Sequence, residues 1–295
     1  CKAQEMKIDT LIDDIYGQLN KLSEGKEFNL SDKDLDQTVA RIKDSILAWA
    51  RPSERDSAFS LRMSNIGRPA RQLWYEQNLP LERSLPDPAV QLKFLYGHIL
   101  EEILLMLVRS AGHTVTDEQK EVDVKGIKGH IDCKIDGQVV DIKTASKFSF
   151  NKFREGRLRE DDPFGYMSQL AGYEEAEKSS EGGFLVINKE SGELCLYRPE
   201  ELDKPSINTQ IKSVKKALKL ATPPPRCYES VPEGKKGNMK IHRSCNYCPY
   251  KFECYKDANN GQGLRVFKYA TGLAYLSHVE VAPRVEEVSY ESTPF

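Results

Sequence analysis

Apolar and polar positions follow two different periods along this 295-residue chain. Near the N-terminus Ile8, Leu11, Ile12, Ile15, Tyr16 and Leu19 recur every three or four residues. Val39, Ile42 and Ile46 do so again, and the spacing predicts two helices packing on the main body. Ser64–Gln77 reads as a helix start with Pro69 near its first turn, and Pro86 and Pro88 break the chain before a strongly apolar helix from about Val90 to Arg109. A strand is predicted over Thr114–Val124, a hairpin over Lys128–Ala145 and a helix over Asp161–Ala176. A second hairpin joins Phe184–Asn188 to Leu194–Arg198. A helix from about Ser206 to Leu220 stops at Pro223-Pro224-Pro225. The tail from Leu264 to Phe295 carries some apolar residues and ends in a Ser/Thr/Pro-rich stretch expected to be mobile.

The hairpin holds the densest chemistry. Asp136-Gly137 is the dipeptide of a two-residue type I′ turn. With that loop, Ile135 faces Gln138, Asp132 faces Asp141 and His130 faces Lys143. Directly opposed side chains share one face of a sheet, with Cβ atoms about 4.5–5.5 Å apart. Two carboxylates at that range repel unless a positive charge lies between them. Lys143 is two residues beyond Asp141, so it returns to the same face. Such a group suits a divalent cation beside a phosphate.

Further polar residues flank it. His98, Glu101 and Glu102 stand at i, i+3 and i+4 of the apolar helix and can share one face, either its solvent edge or a set of ligands. Lys147, Lys152, Arg154, Arg157 and Arg159 face a single acid, Glu155, as a solvated face or as a grip on a nucleic-acid backbone. The interleaved Phe148, Phe150 and Phe153 either stack on bases or fill core. Gln169 and Tyr173 are neighbours one helical turn apart.

Composition narrows the classes. With 39% hydrophobic and 30% charged residues and a net charge of −2, the chain has the profile of a soluble globular protein, so any basic surface must be local. No apolar run approaches the length that spans a bilayer, and no signal peptide is visible. Cys1 rather than Met opens the sequence, which leaves room for residues ahead of it. Four of seven cysteines fall between Cys227 and Cys254, a clustering that favours metal binding in a reducing, cytoplasmic setting over disulfides. Cys1, Cys133 and Cys195 read as incidental, with Cys133 on the opposite face from Asp132.

In chain order, His98 and Glu101, then Asp132, then Asp141-x-Lys143, then Gln169-x3-Tyr173 resemble the motifs of the PD-(D/E)XK nuclease superfamily, in its RecB-like and CRISPR-associated exonuclease branch, over roughly Ser64–Lys256. The resemblance implies an α/β (α+β) restriction-endonuclease-like core with a central mixed sheet flanked by helices over 61–222. A helical extension would occupy 1–60, and a cysteine-bound C-terminal lobe 223–295. It implies that Asp132, Asp141 and the backbone carbonyl of Ile142 hold Mg²⁺ or Mn²⁺, with His98 as a further ligand and Glu101 reaching a second ion through water. Lys143 would orient the attacking water and offset the developing charge, while Gln169 and Tyr173 would position the strand.

Cys245-x2-Cys248-x5-Cys254 resembles the C-terminal end of iron–sulfur members of that branch. Their fourth cysteine lies upstream, in a stretch resembling Gly67–Tyr75. Here Pro69 or Ala70 stands at that position, which leaves Cys227 as the substitute and His242 as a lesser alternative. Four thiolates suit a [4Fe–4S] cluster or Zn²⁺, pinning the C-terminal segment in place. The implied function is that of a metal-dependent DNA nuclease, an exonuclease rather than a sequence-specific endonuclease. Its substrate would be single-stranded or end-containing duplex DNA in end processing, repair, recombination or phage DNA metabolism. The alternative is a non-cleaving, metal-stabilised nucleic-acid-binding protein. Oligomeric state and the role of residues 1–60 stay open.

Overall fold

The structure, a computed structural model, describes residues 7–51, 59–79 and 88–289. In chain order the elements begin with α1 (Leu11–Ser23), α2 (Asp32–Ala50), α3 (Ala70–Asn78) and α4 (Pro88–Ser110). Strands β1 (Val115–Thr116), β2 (Glu121–Val124), β3 (Ile127–His130), β4 (Cys133–Ile135) and β5 (Gln138–Ala145) come next. They are followed by α5 (Lys147–Arg154), α6 (Tyr166–Glu177), β6 (Gly183–Asn188), β7 (Leu194–Tyr197) and α7 (Ile207–Leu218). The chain closes with β8 (Val231–Glu233), β9 (Asn238–Lys240), α8 (Lys251–Cys254), and, after one further short helix, β10 (Arg265–Tyr269), β11 (Gly272–His278) and β12 (Glu287–Val288).

Two compact units result: residues 1–67 with 81–212, and residues 68–80 with 213–295. The first is a mixed α/β unit whose central sheet runs β1-β4-β5-β6-β7, parallel only between β5 and β6 and antiparallel elsewhere. Its parallel pair needs a crossover, and α5 and α6 supply it. The second unit has its own antiparallel sheet, β12-β10-β11-β9-β8.

One face of the central sheet makes the core. Val140 and Ile142 of β5, Cys133 and Ile135 of β4 and Leu185 of β6 pack with Leu104, Leu105 and Val108 of α4 and with Leu11 and Ile15 of α1. Fully burying one such aliphatic side chain stabilises by about 1.5–3 kcal/mol, so α1 belongs to this core and is not an appendage. Its Tyr16 hydroxyl accepts the backbone N–H of Leu194, at the start of the edge strand β7, at 2.8 Å.

The β4–β5 hairpin has the expected register near its turn, with Ile135 paired to Gln138, Lys134 to Val139 and Cys133 to Val140, but the ladder ends there and the expected pair of Asp132 with Asp141 lies beyond it. Asp136 (φ 49°) and Gly137 (φ 82°) both take positive φ, as a type I′ turn requires. The buried imidazole of His113 holds this turn, with Nδ1 2.6 Å from Asp136 Oδ2 and Nε2 3.2 Å from Asp14 Oδ2 on α1. Asp136 Oδ1 also accepts the Thr114 N–H at 3.0 Å.

Several expectations need correction. The hairpin does not extend back to Lys128, because β3 pairs with β2, and His130 stands opposite Glu121 instead of Lys143. Thr114–Val124 is two strands in two sheets, interrupted where Asp117 (φ 52°) and Gln119 (φ 55°) adopt left-handed turns. Helix α6 starts at Tyr166 and not at Asp161, since Asp162 spends its carboxylate on the N–H groups of Gly165, Tyr166 and Met167 at 2.9–3.0 Å. The tail, for which no strand was expected, contributes β10, β11 and β12, while its last residues, 290–295, lie outside the described residues, as does Cys1. Helix α2 forms over the predicted stretch, but not with its apolar side inward: Val39 is 57% exposed and Ile46 40%. Among the described residues no helix is long and apolar enough to cross a membrane.

Candidate active site in the first unit and cysteine cluster in the second

Alternation along β5 divides its side chains between two tasks. Val140 and Ile142 enter the core, whereas Asp141 and Lys143 turn to the other face, where α6 lies. Lys143 Nζ is 2.5 Å from Asp141 Oδ2 and sits over the ring of Tyr166, 4.8 Å from its centroid. One turn along α6, Gln169 Nε2 donates to Tyr173 Oη at 2.9 Å. Burial raises the Tyr173 phenol, and the charge of Asp141 raises it further. Asp132, just before β4, accepts the Ile142 N–H on Oδ2 at 2.7 Å. A strand residue points its N–H and C=O to the same side, so the Ile142 carbonyl faces the Asp132 edge as well.

The charges are unbalanced. Burial pushes the Asp132 carboxyl well above the ordinary range, and the neighbouring Asp141 and Glu101 push it in the same direction. Glu101, on α4, is raised to about 7, first by burial and then by the charges of Glu102 and Asp141. Lys143 is raised although burial opposes its charge, because Asp141 and Asp132 outweigh the loss of water. Three carboxylates thus share one ammonium, and both Asp141 oxygens are buried without a hydrogen-bond partner among the described residues. Oδ2 is engaged in the ion pair with Lys143, which leaves Oδ1 as the orphan.

Surplus negative charge, oxygen donors and an orphaned buried carboxylate oxygen fit a hard divalent cation. Among the described residues no three His, Cys, Asp or Glu side chains form a ready-made single-ion cage. The fit is therefore one of donor chemistry and charge.

The structure separates residues that the helical spacing had grouped. Glu101 belongs to this cluster, with Gln119 Nε2 donating to its Oε1 at 3.0 Å. Glu102 turns instead towards Arg41, 3.9 Å away, in a network where Glu118 pairs with Arg41 at 3.1 Å and Arg109 at 2.7 Å. His98 lies exposed on α4, one turn before Glu101. Of the five basic residues, Lys152 pairs with Asp161 at 2.5 Å, Arg154 with Glu193 at 3.4 Å, Arg157 with Glu155 and Arg159 with Asp203 at 2.5 Å. Lys147 is exposed in the first turn of α5. Phe150 and Phe153 are core, while Phe148 is half-exposed.

Two participants had not been anticipated. Tyr166 stands three residues before Gln169 on the same helix face, a spacing that could have flagged it. Gln119 sits in an irregular turn and gave no signal.

The acid cluster predicts a pH effect on the metal-free protein. Folding raises Glu101 from the ordinary 4.5 to about 7, so the folded state holds this proton more tightly than the unfolded chain. Below pH ~4.5 both states are protonated and the group costs nothing. Stability is lost as pH rises from there to about 7, by on the order of 3 kcal/mol, and the penalty is complete above that. Glu101→Gln removes this decline. In EDTA, urea unfolding should show the variant more stable than wild type at pH 8 by about 1–3 kcal/mol and close to it at pH 4.5. An equal difference at both pH values would refute the account.

In the second unit, α3 and the cysteines come together. Burial raises the Cys227 thiol while the backbone amides of Arg71 and Gln72, at the start of α3, oppose the rise, and Arg71 Nε donates to Cys254 Sγ at 3.1 Å. Arg71 also reaches the Pro224 carbonyl and, at 3.0 Å, Tyr75 Oη. Tyr75 stacks on Tyr250, with ring centroids 5.4 Å apart, and Cys248 and Cys254 pack against this pair. Burial raises the Cys245 thiol to about 12 and the Cys248 thiol to about 11, with neighbouring cysteines adding to the rise. Cys245 senses Cys248, Cys254 and Cys227, so the other three sulfurs all lie within its electrostatic reach. Cys133 and Cys195 are buried elsewhere, in the first unit.

No family model matches the sequence, and no curated protein does either. Three solved structures are similar in fold at low identity. The protein SSO0001 matches at 17% identity and a TM-score of 0.36, over 72% of this chain and 93% of the other. LHK-Exo, the alkaline exonuclease from Laribacter hongkongensis, in complex with dAMP, matches at 13% identity and 0.35, over 54% and 87%. A phage-related exonuclease from Haemophilus somnus 129PT matches at 11% identity and 0.36, over 54% and 93%. Scores this low mark a distant likeness in outline, and the chemistry of the site has to be judged from its own side chains.

Proposed function

We propose that the first unit is a Mg²⁺- or Mn²⁺-dependent DNA nuclease of the PD-(D/E)XK type, acting from DNA ends. The observation that carries this reading is the buried Asp141, with one oxygen orphaned and the other beside Lys143, in a cluster that also feels Asp132 and Glu101. Asp132, Asp141 and the Ile142 carbonyl would hold the ion, with Glu101 and the exposed His98 as outer contributors. The ion would lower the pKa of a bound water and stabilise charge on the phosphate oxygens.

The chain's own groups do the remaining work. The Lys143 ammonium stays charged and supplies a fixed positive charge for a phosphate oxygen. The ring face of Tyr166 lies against the ammonium, and Gln169 and Tyr173 present paired polar groups on the next turn of α6. Of the five basic residues from Lys147 to Arg159, Lys147 is the most available to a backbone phosphate, since the other four are ion-paired.

The test is cleavage of end-labelled single- and double-stranded DNA, linear and circular, with Mg²⁺, Mn²⁺ or EDTA. Metal-dependent loss of linear DNA with circles intact supports an exonuclease. Cut circles change the mode to endonuclease. Binding without any cleavage points to a non-cleaving nucleic-acid-binding protein.

For the second unit we propose that Cys227, Cys245, Cys248 and Cys254 together hold one [4Fe–4S] cluster or one Zn²⁺. The donor set fits, and Cys227, close enough to the start of α3 to feel its amides, brings a thiol to the stretch that lacks its own cysteine. Anaerobically purified protein should contain either iron and sulfide with a brown colour, or about one zinc per chain. Cys245→Ser or Cys227→Ser should remove it, and Cys133→Ser should leave it unchanged. Full metal content in Cys227→Ser would exclude that residue as a ligand.

A further inference from the structure

Helix α2 faces the body with its polar side. Thr38 is buried, Arg41 reaches Glu102 and Glu118, and Gln37 Nε2 donates to Glu118 Oε1 at 3.1 Å. Its apolar stripe of Leu35, Val39, Ile42, Ile46 and Trp49 advances by four, three, four and three residues. At about 100° per residue, the stripe is centred roughly a quarter turn away from Thr38 and Arg41. Leu35 is 42% exposed, Val39 57%, Ile46 40% and Trp49 43%. The Trp49 indole N–H is fixed on the Gln91 carbonyl of α4 at 3.1 Å, so this end of the stripe is anchored while its ring is left half open. A surface helix ordinarily does the reverse, and so long an apolar row in water calls for a partner.

The stripe is a heptad seam. Val39 and Ile46 are β-branched residues at a, and Leu35, Ile42 and Trp49 occupy d. The flanking e positions are Asp36 and Lys43, both exposed and without an ion-pair partner among the described residues. Their charges decide the occupant. In an antiparallel pair, e positions of the two helices face each other, so Asp36 of one copy meets Lys43 of the other, twice about the symmetry axis. The same register layers Leu35 on Ile46 and Val39 on Ile42. A parallel pair would set e against g, where the uncharged Thr38 and Ser45 offer no match.

We propose that α2 pairs antiparallel with α2 of a second copy of this chain, making the protein a two-fold dimer through a short coiled coil. A four-layer helix pair buries roughly 1,000 Å² in all, the low end for a specific interface, and corresponds to micromolar association. This dimer does not depend on the nuclease reading.

The test is light scattering and sedimentation equilibrium of the full chain from about 1 to 100 μM. Wild type should pass from monomer to dimer in this range. Val39→Asp should raise the midpoint at least ~100-fold with an unchanged circular-dichroism spectrum, because it places charge in a central layer. Asp36→Lys alone, or Lys43→Asp alone, sets like charges opposite each other and should weaken association roughly tenfold. The double exchange should restore it to within about threefold of wild type. A monomer at every concentration overturns the proposal, and so does a dimer indifferent to Val39→Asp, which would place the contact elsewhere. A double exchange no better than the single ones overturns the antiparallel register.

Discussion

Asp141→Ala should abolish metal-dependent DNA cleavage, reducing the rate at least ~10³-fold, and Lys143→Ala should reduce it about 10²–10³-fold. Asp141 carries the orphaned oxygen, so its removal takes away a directly aimed donor, and several kcal/mol of charge stabilisation correspond to that rate loss. Among the described residues Lys143 is the ammonium in contact with Asp141, and it is preset by Asp141 and by the Tyr166 ring. Lys152→Ala is the matched control, since that ammonium is engaged with Asp161 and should change the rate only a few fold. Single-turnover cleavage of an end-labelled strand under saturating metal separates these cases. Equal rates for wild type, Asp141→Ala and Lys143→Ala would remove the catalytic assignment from this cluster altogether.

Gly165→Ala should lower stability by about 3 kcal/mol or more, several times the loss from Gly137→Ala. The two glycines have nearly the same backbone angle, φ 77° and 82°, so the left-handed cost of about 1 kcal/mol is common to both. They differ in surroundings. A Cβ on Gly165 would stand 2.3 Å from backbone atoms of Gly67, whereas a Cβ on Gly137 meets nothing within 4 Å. Backbone against backbone cannot yield by a rotamer change, so α6 would have to shift, carrying Tyr166, Gln169 and Tyr173 with it. At about 2–4 °C per kcal/mol for a unit of this size, the first thermal transition should fall by roughly 6–12 °C in Gly165→Ala. It should fall by only a few degrees in Gly137→Ala. Equal shifts would show that the close approach of the two backbones carries no energetic weight.

What was legible in the sequence was local. The Asp136-Gly137 turn fixed the β4–β5 register because a two-residue I′ loop permits only one, and the two-residue step from Asp141 to Lys143 placed both on one face. Helices with a long apolar period, α1, α4 and α7, were equally visible. Pairing decided at a distance was not. His130 follows the pattern of the hairpin but is claimed by Glu121, because the chain kinks between His130 and Cys133 and starts a separate ribbon. Glu101 and Glu102 are adjacent, and which of them reaches the site depends on Arg41, backed by Arg109, drawing Glu102 the other way. The apolar period of α2 was read correctly as a helix and wrongly as a core face, since periodicity locates a stripe without saying what covers it.

The hydroxyl of Tyr16 on the Leu194 N–H has a consequence for how copies of this chain can meet. An outer strand with unsatisfied amides is a template on which another polypeptide can add itself, ending in open-ended, fibrous assembly. Here one side of the central sheet ends in β1, two residues long, and on the other a backbone donor at the start of β7 is already taken by a helix side chain. Both devices shorten the edge that a stray strand could copy. A helical surface that pairs about a two-fold axis closes on itself, whereas an open strand edge can go on adding copies.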